Sequence, residues 1–151
     1  MYEIRAARTT DADCISHVII RCLRETNAQD YPDEVIRRVG QNFSAAAVLA
    51  LMARRTVFVA TLEKRIVGTA SLDGSVVRTV FVSPDLQHQG IGRLLMEQVE
   101  REARAAGVKV LAVPSSVTAG QFYSRLGFKP VREDYYGEER TIVMERNLAA
   151  P

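Results

Sequence analysis

The chain has 151 residues and a mass of 16.8 kDa, which is about the size of one domain. Its composition, 47% hydrophobic and 25% charged, excludes an intrinsically disordered chain and supports one sizeable core. The 20 Lys and Arg against 18 Asp and Glu give a net charge of +2, scattered along the chain, so nothing in the charge demands a nucleic-acid partner. We therefore expect a single domain over residues 1–151 that does not bind nucleic acid.

The hydrophobic stretches of the sequence are short. The longest covers residues 45–53, whereas a helix needs about 20 residues to cross a bilayer. The N-terminal segment lacks the apolar core and the cleavage site of a secretory signal. We expect no membrane partner and a cytoplasmic location.

Hydrophobic periodicity predicts the elements of the first half. Alternation predicts a strand at residues 2–6, and helical spacing then predicts helices that begin at Asp11, Asp33 and Ser44, with Asp11 and Ser44 as N-caps. Three β-rich runs follow at residues 57–62, 66–72 and 75–82. Because Asp-Gly between apolar runs favours a type I′ hairpin turn, Asp73 and Gly74 predict an antiparallel meander.

The second half begins with the clearest helix, which starts near Ile91 and is stopped by Gly107. A strand at residues 108–113, a helix at 118–126 and two strands near 128–132 and 141–148 follow. A strand, a long helix and a strand form a crossover unit, so the runs at 75–82 and 108–113 should be parallel. The predicted fold class is α+β with a mixed sheet.

The segment at residues 80–95 is the one that carries chemistry. A strand runs into a turn with Pro84, and Gly90 and Gly92 then open the long helix. The first N–H groups of a helix are unpaired and lie at the positive end of its macrodipole, which makes an anion site. Glycines without Cβ would let a phosphate approach the backbone closely. The alternative is a tight turn before a helix with no ligand.

Two other phosphate loops do not fit this segment, because Arg93 and Leu94 replace the Lys-Ser/Thr of a P-loop and Leu95 replaces the third glycine of a Rossmann fingerprint. Gln87, Gly90 and Gly92 instead resemble the Q/R-x-x-G-x-G/A loop of the GNAT superfamily of N-acetyltransferases. A second stretch, residues 119–128, is similar to the A-x-x-F-Y-x-x-x-G-F signature of the same superfamily.

The resemblance implies a fold, a cofactor and a site. The fold would be a mixed, mostly antiparallel sheet of about seven strands flanked by about four helices, with a parallel crossover pair separated at the cofactor slot. The cofactor would be acetyl-CoA, with its pyrophosphate on the N–H groups from Gln87 to Arg93 and its pantetheine arm along the preceding strand. The implied cofactor-binding residues are Val80, Phe81, Val82, Gln87, His88, Gln89, Gly90, Ile91, Gly92, Arg93, Ser116 and Tyr123.

By this resemblance Tyr123 occupies the general-acid position of the superfamily. A tyrosine suits that role, since it stays protonated at neutral pH and can donate a proton to a departing thiolate. The alternative is that Tyr123, like Phe122, is only a core aromatic residue. Arg93, Arg125 and Lys129 are candidate partners for the adenosine 3′-phosphate.

The sequence departs from the superfamily pattern at two places. Ser116 stands where the signature often has Asn. Val76 stands where many members carry a Glu that acts as general base, on the strand before the loop. A general base must therefore come from elsewhere. The candidates are Asp73, Glu34, Glu138 or a water chain through Ser71 and Thr79.

Arg78 and the two cysteines need separate interpretation. Alternation would place Val76, Arg78, Val80 and Val82 on one face, where Arg78 either clamps a carboxylate of an acceptor or forms a salt bridge. Cys14 and Cys22 are too far apart on one helix for a disulfide or a shared metal ion, so we expect buried thiols and no metal.

We therefore expect an N-acetyltransferase that moves acetyl from acetyl-CoA to an amine by direct attack within a ternary complex. The acceptor is a small molecule, a peptide or a protein that the sequence does not identify, and a homodimer would fit the superfamily. The main alternative is a catalytically weak or inactive module that binds CoA or acetyl-CoA, and a weaker one is a nucleotide-binding domain.

Overall fold

The computed structural model describes residues 1–148 and shows a seven-stranded sheet in the order β1-β2-β3-β4-β5-β7-β6. The strands are β1 (Tyr2–Ala6), β2 (Thr56–Leu62), β3 (Arg65–Asp73), β4 (Val76–Val82), β5 (Val110–Ser116), β6 (Lys129–Tyr136) and β7 (Glu139–Asn147). The α-helices are α1 (Ala12–Glu25), α2 (Asp33–Gln41), α3 (Ala45–Met52), α4 (Ile91–Ala105) and α5 (Gly120–Arg125). The predicted α+β class with a mixed sheet is confirmed. Residues 1–148 contain five α-helices, whereas the resemblance implied about four.

Two hydrophobic clusters lie on opposite faces of the sheet. One contains Leu95 and Val99 of α4, and the other contains Ile15 and Ile19 of α1. Successive strand residues face opposite ways, so neighbouring residues of β2 divide between the two clusters. Each fully buried aliphatic side chain contributes about 1.5–3 kcal/mol, and this burial fixes both α1 and α4 against the sheet.

The two hairpin turns of the meander have different geometries, and the second differs from the sequence prediction. Leu62 lies opposite Arg65, and both intervening residues, Glu63 and Lys64, have positive φ (50° and 70°), as a type I′ turn requires. At the β3–β4 hairpin the residues between the paired ends are Gly74 and Ser75, and only Gly74 has positive φ, 62°. The predicted meander is confirmed, but the type I′ assignment to Asp73-Gly74 is wrong.

A bulge interrupts β4. Phe81 pairs with Thr69 and Arg78 pairs with Ser71, so two residues of β4, 79 and 80, lie opposite one residue of β3. Thr79 has φ of 58°, a conformation that β-branched residues rarely adopt. Because paired residues share a face, Arg78 lies on the face of Phe81. The expectation that Arg78 shares a face with Val82 is therefore wrong.

The strands β4 and β5 are parallel, as predicted, but they pair only at one end. Val76 lies opposite Ala112, and the N–H of Ala112 donates to the carbonyl of Ser75 at 3.0 Å. Over its whole length β5 pairs with β7 on its other side. Beyond the Val76–Ala112 pair, β4 and β5 separate and open a cleft between them.

Asp11 and Ser44 both precede a helix but have different roles. Ser44 caps α3, because its Oγ accepts from the N–H of Ala47 at 3.2 Å. Asp11 does not cap α1. Its carboxylate accepts two hydrogen bonds from the Arg5 guanidinium, at 2.8 and 3.1 Å, and one from the N–H of Arg8 at 2.7 Å. Asp11 therefore ties β1 to the start of α1.

Cys22 is buried as expected, but Cys14 is exposed, so the interpretation as a buried thiol is wrong for Cys14. Both thiols are free. Within residues 1–148 no group of three or more His, Cys, Asp and Glu side chains is arranged to hold a metal ion. No helix in the described part of the chain has the length and apolar character needed to cross a membrane.

We predict that Asp11→Asn lowers the free energy of unfolding by about 1–3 kcal/mol at pH 7, because a charge-assisted hydrogen bond to Arg5 is lost. The Arg5 hydrogen bond holds the pKa of Asp11 below its usual value, against an opposing effect of burial. A lowered pKa in the folded state stabilises the protein above the unfolded pKa, and this contribution is lost as the pH falls through the folded value. Urea unfolding should therefore show the difference between wild type and Asp11→Asn shrinking below about pH 4.

The matched control is Asp13→Asn, which changes an exposed carboxylate in the first turn of the same helix. It should change the free energy of unfolding by about 0.5 kcal/mol or less. An Asp11→Asn effect of the same size at pH 3 and pH 7 would show that the ion pair is not its cause.

Candidate active site

The loop between β4 and α4 presents a row of backbone donors. The first hydrogen bond of the helix runs from the N–H of Leu94 to the carbonyl of Gly90, at 3.1 Å. Among the described residues, no acceptor makes a hydrogen bond of normal geometry with any N–H from Gln87 to Arg93. These seven consecutive donors stand at the positive end of the α4 macrodipole, so the loop can hold an anion with several oxygens.

Gly90 and Gly92 have different structural roles. Gly90 precedes α4 with φ of 86°, a conformation that favours glycine. A Cβ on Gly92 would lie 3.0 Å from Cζ of Phe122 and 3.7 Å from Cγ2 of Val82. The space on the Cβ side of Gly92 is thus filled by the Phe122 ring, and the close approach of a phosphate to the Gly92 N–H stays a prediction. Gly92 allows α4 to approach α5 closely.

A cleft of about 950 Å³ runs from this loop into the gap between β4 and β5. It brings together almost all the residues that the resemblance implied, from both strands, the loop and α5: Val80, Phe81, Val82, Gln87, His88, Gly90, Ile91, Gly92, Arg93, Ser116 and Tyr123. Gln89 does not line the cleft, and its side-chain carbonyl accepts a hydrogen bond from the hydroxyl of Tyr2 in β1.

Gln87 and Cys22 both bind the end of β4. The Gln87 amide donates to the carbonyl of Val82 at 3.3 Å, and the Cys22 thiol donates to the same carbonyl at 2.9 Å. Burial raises the pKa of Cys22 to about 12. The side chain of Gln87 therefore secures the loop to the strand, and the Val82 carbonyl already has two donors.

Tyr123 lies on α5 and is buried, with 4% of its surface exposed. Its ring makes edge contacts with Phe122 and Phe128, at centroid distances of 5.0 and 5.7 Å. Burial raises the pKa of the Tyr123 phenol well above its ordinary value. The Tyr123 phenol therefore stays protonated at physiological pH.

Ser116 lies at the end of β5 and shapes the turn into α5. Its Oγ accepts from the N–H of Ala119 at 3.2 Å, and its carbonyl accepts from the same group at 3.2 Å. The short hydroxyl therefore positions the start of the segment that carries Tyr123. This role needs only an acceptor two or three atoms from the backbone, which Ser supplies as Asn would.

The cleft contains two carboxylates that the sequence did not suggest as a general base. Asp134 of β6 and Glu139 of β7 line it, and Glu139 pairs with Arg38 of α2 at 3.0 Å. Glu34, Asp73 and Glu138, the predicted sources of a base, do not line it. The position of Asp134 and Glu139 follows from the pairing of β7 with β5, which no local sequence pattern reveals.

The predicted water chain and the predicted phosphate partners are only partly in the cleft. Thr79 lines the cleft, but Ser71 is buried and its Oγ donates to the carbonyl of Arg78 at 2.6 Å. Arg93 and Arg125 line the cleft and Lys129 does not.

The opposite wall of the cleft is formed by the N-terminal helices. Its apolar part includes Leu23, Val35, Val39 and Phe43. Tyr31, which precedes α2, connects this wall to the sheet, because its hydroxyl accepts from the N–H of Val117 at 2.7 Å and donates to the carbonyl of Arg140 at 2.9 Å. The helices are thereby held across the cleft from β5 and β7.

Comparison with known sequences identifies relatives of this chain. The family model described as an acetyltransferase (GNAT) domain matches residues 27–145. The [ribosomal protein bS18]-alanine N-acetyltransferase of Escherichia coli K12 is 35% identical in an alignment of 82 residues that covers 48% of this chain and 55% of that protein. An amino-acid acetyltransferase of Azotobacter vinelandii is 41% identical over 61 residues, 40% of this chain and 14% of that protein. The chain thus spans about half the length, or less, of these curated relatives.

Comparison with solved structures shows that the fold is shared over nearly the whole chain. A GCN5-related N-acetyltransferase from Rhodopseudomonas palustris has a TM-score of 0.92 at 23% identity and covers 97% of this chain and 95% of its own. The PaiA N-acetyltransferase of Thermoplasma acidophilum, solved in complex with coenzyme A, has a TM-score of 0.84 at 20% identity, with coverages of 97% and 99%. Since the family model also matches well over half of the sequence, the chain belongs to the GNAT family of acetyltransferases.

Proposed function

We propose that the protein is an N-acetyltransferase that uses acetyl-CoA to acetylate an amine. One observation carries this proposal: seven consecutive unpaired N–H groups, from Gln87 to Arg93, lie at one end of a cleft that also contains a buried, protonated tyrosine. The first feature suits a diphosphate and the second suits proton donation. We also propose that residues 1–151 form one N-acetyltransferase domain.

The residues that line the cleft suit the binding of CoA. The loop N–H groups and the side chain of Arg93 would hold the pyrophosphate, and the backbone of Val80 and Phe81, which faces the gap between β4 and β5, would hold the pantetheine arm. When bound, acetyl-CoA supplies an acetyl group on a thioester. Tyr123 holds a proton at its hydroxyl, available to a leaving sulfur.

Direct transfer to the acceptor is favoured over a covalent acetyl-enzyme. Cys22 is the one cysteine on the cleft wall within the described residues, and both its raised pKa, about 12, and its hydrogen bond to Val82 make it a poor nucleophile. The cleft also has room on the side of α1 and α2 for an acceptor beside the donor.

An amine acceptor requires a group that takes its proton. A primary amine with a pKa near 10.4 is deprotonated in only about one molecule in 2,500 at pH 7, which corresponds to about 4.6 kcal/mol. Asp134 and Glu139 are the carboxylates that line the cleft in residues 1–148, and we assign this role to one of them. The alternative of an inactive CoA-binding module was suggested by the missing carboxylate on the strand before the loop, and a base from β6 or β7 would replace that group. The cytoplasmic location and the homodimer stay predictions.

We predict that Gly92→Val weakens acetyl-CoA binding about tenfold, because its Cβ already lies 3.0 Å from Phe122 and the two added methyl groups displace either the ring or the start of α4. Isothermal titration calorimetry of the purified variant measures this change. Gly40→Val is the matched control, since Gly40 has open space around its Cβ position. An unchanged dissociation constant in Gly92→Val would show that the loop geometry does not determine binding.

We predict that Tyr123→Phe reduces kcat by about 10²–10⁴-fold, because the proton donor is removed while the ring contacts with Phe122 and Phe128 remain. Release of free CoA thiol with a pool of amines measures kcat, and calorimetry should show unchanged acetyl-CoA affinity. Tyr135→Phe, which changes an exposed tyrosine of β6, is the control. Full activity in Tyr123→Phe would remove the phenol from the mechanism.

We predict that either Glu139→Gln or Asp134→Asn lowers kcat/KM at pH 7 by about 10²-fold or more, because the amine then loses its proton acceptor. The loss should shrink as the pH rises towards the pKa of the amine. Glu138→Gln, on an exposed neighbour outside the cleft, is the matched control for Glu139→Gln. Wild-type pH–rate profiles in both cleft variants would contradict the assignment.

A further inference from the structure

Two arginines in the cleft share one carboxylate. The Nε atoms of Arg78 and Arg55 lie 3.1 and 4.0 Å from the same oxygen, Oδ2 of Asp73. Arg55 and Arg78 line the cleft, whereas Asp73 does not. Two positive charges therefore face the cleft against one negative charge behind them.

Both guanidinium groups have donors to spare. Arg55 donates one hydrogen bond, from Nη1 to Oγ1 of Thr79 at 3.2 Å, and Arg78 donates one, from Nε to Asp73. A guanidinium has five N–H donors arranged in a planar fork. Most of the donors of this Arg55–Arg78 pair therefore have no acceptor within residues 1–148.

The pair is held close together at an electrostatic cost. The side chain of Arg55 is only 17% exposed. Its desolvation, together with the charge of Arg78, lowers the pKa of Arg55. An anion between the two groups would relieve their repulsion, and a carboxylate matches the planar fork of a guanidinium.

The surroundings of the Arg55–Arg78 pair indicate the polarity of the rest of the ligand. The bulge in β4 places Arg78 on the same face as Phe81, and Phe81 contacts Phe43 edge-to-face at a centroid distance of 6.2 Å. Val39 lines the same cleft. The cationic pair thus stands beside an apolar wall, in a cleft that Glu139 of β7 also lines.

We infer that the acceptor is an amine that also carries a carboxylate and an apolar body, and that Arg55 and Arg78 bind its carboxylate. This inference rests on the proposed acetyltransferase function. Arg55 and Arg78 are specificity-determining residues here, because they bind the acceptor without taking part in proton transfer. A pair that only stabilised the β3–β4 turn through Asp73 would show no preference between acceptors.

The test compares two acceptor pools with the full-length protein and acetyl-CoA. One pool contains apolar amino acids and their glycyl dipeptides, and the other contains the same compounds as C-terminal amides. CoA release and mass spectrometry of the products measure kcat/KM. We expect the acids to be preferred about tenfold or more, and Arg55→Gln and Arg78→Gln to abolish this preference mainly through KM.

Three further variants separate charge, geometry and folding. Arg55→Lys keeps the charge without the fork and should retain part of the preference. Asp73→Asn removes the competing carboxylate and should lower KM for the acids. Arg54→Gln changes an exposed neighbour outside the cleft and should leave the preference intact.

Equal rates for acids and amides, or no turnover of the acids by protein that binds acetyl-CoA, would overturn the inference while leaving the proposed cofactor site in place. Absence of acetyl-CoA binding would instead overturn the proposed function itself. A preference for the acids that persists in both Arg→Gln variants would show that another group recognises the carboxylate.

Discussion

The separation of β4 from β5 after a single residue pair is the constraint on which the rest of the site depends. Parallel neighbours normally continue to pair, but here the bulge at Thr79 bends β4 away while β5 stays paired with β7. The gap leaves backbone groups of β4 without a neighbouring strand. It also places the loop that follows β4 and the helix that follows β5 on the two sides of one cleft.

Much of the fold and of the cofactor side of the site could be predicted because the signals are local. Hydrophobic periodicity located the strands and α4, and the spacing of Gln87, Gly90 and Gly92 located the loop whose N–H groups are unpaired. The physical role of Gly92 could not be predicted in the same way, because its neighbour Phe122 is 30 residues away in sequence. The spacing of glycines predicts where two elements approach closely, but it does not predict which residue makes the contact.

The acceptor side of the site could not be predicted, since its residues meet only through long-range pairing. Glu139 reaches the cleft because β7 lies between β5 and β6, and Arg55 reaches Asp73 from the turn before β2. The bulge also reverses the facing of Arg78 relative to Val82, which simple alternation cannot anticipate. One inserted residue therefore decides whether Arg78 faces α4 or the side of α1, where Phe43 and Phe81 meet.

The contact between Gly92 and Phe122 has a consequence for how the family can vary. Because the ring occupies the volume that a side chain at position 92 would need, these two positions share a fixed amount of space. A residue larger than alanine at 92 is compatible with this packing only if the residue at 122 becomes smaller. Sequence drift at the two positions is therefore expected to be correlated, so that the diphosphate loop and the helix of Tyr123 change together.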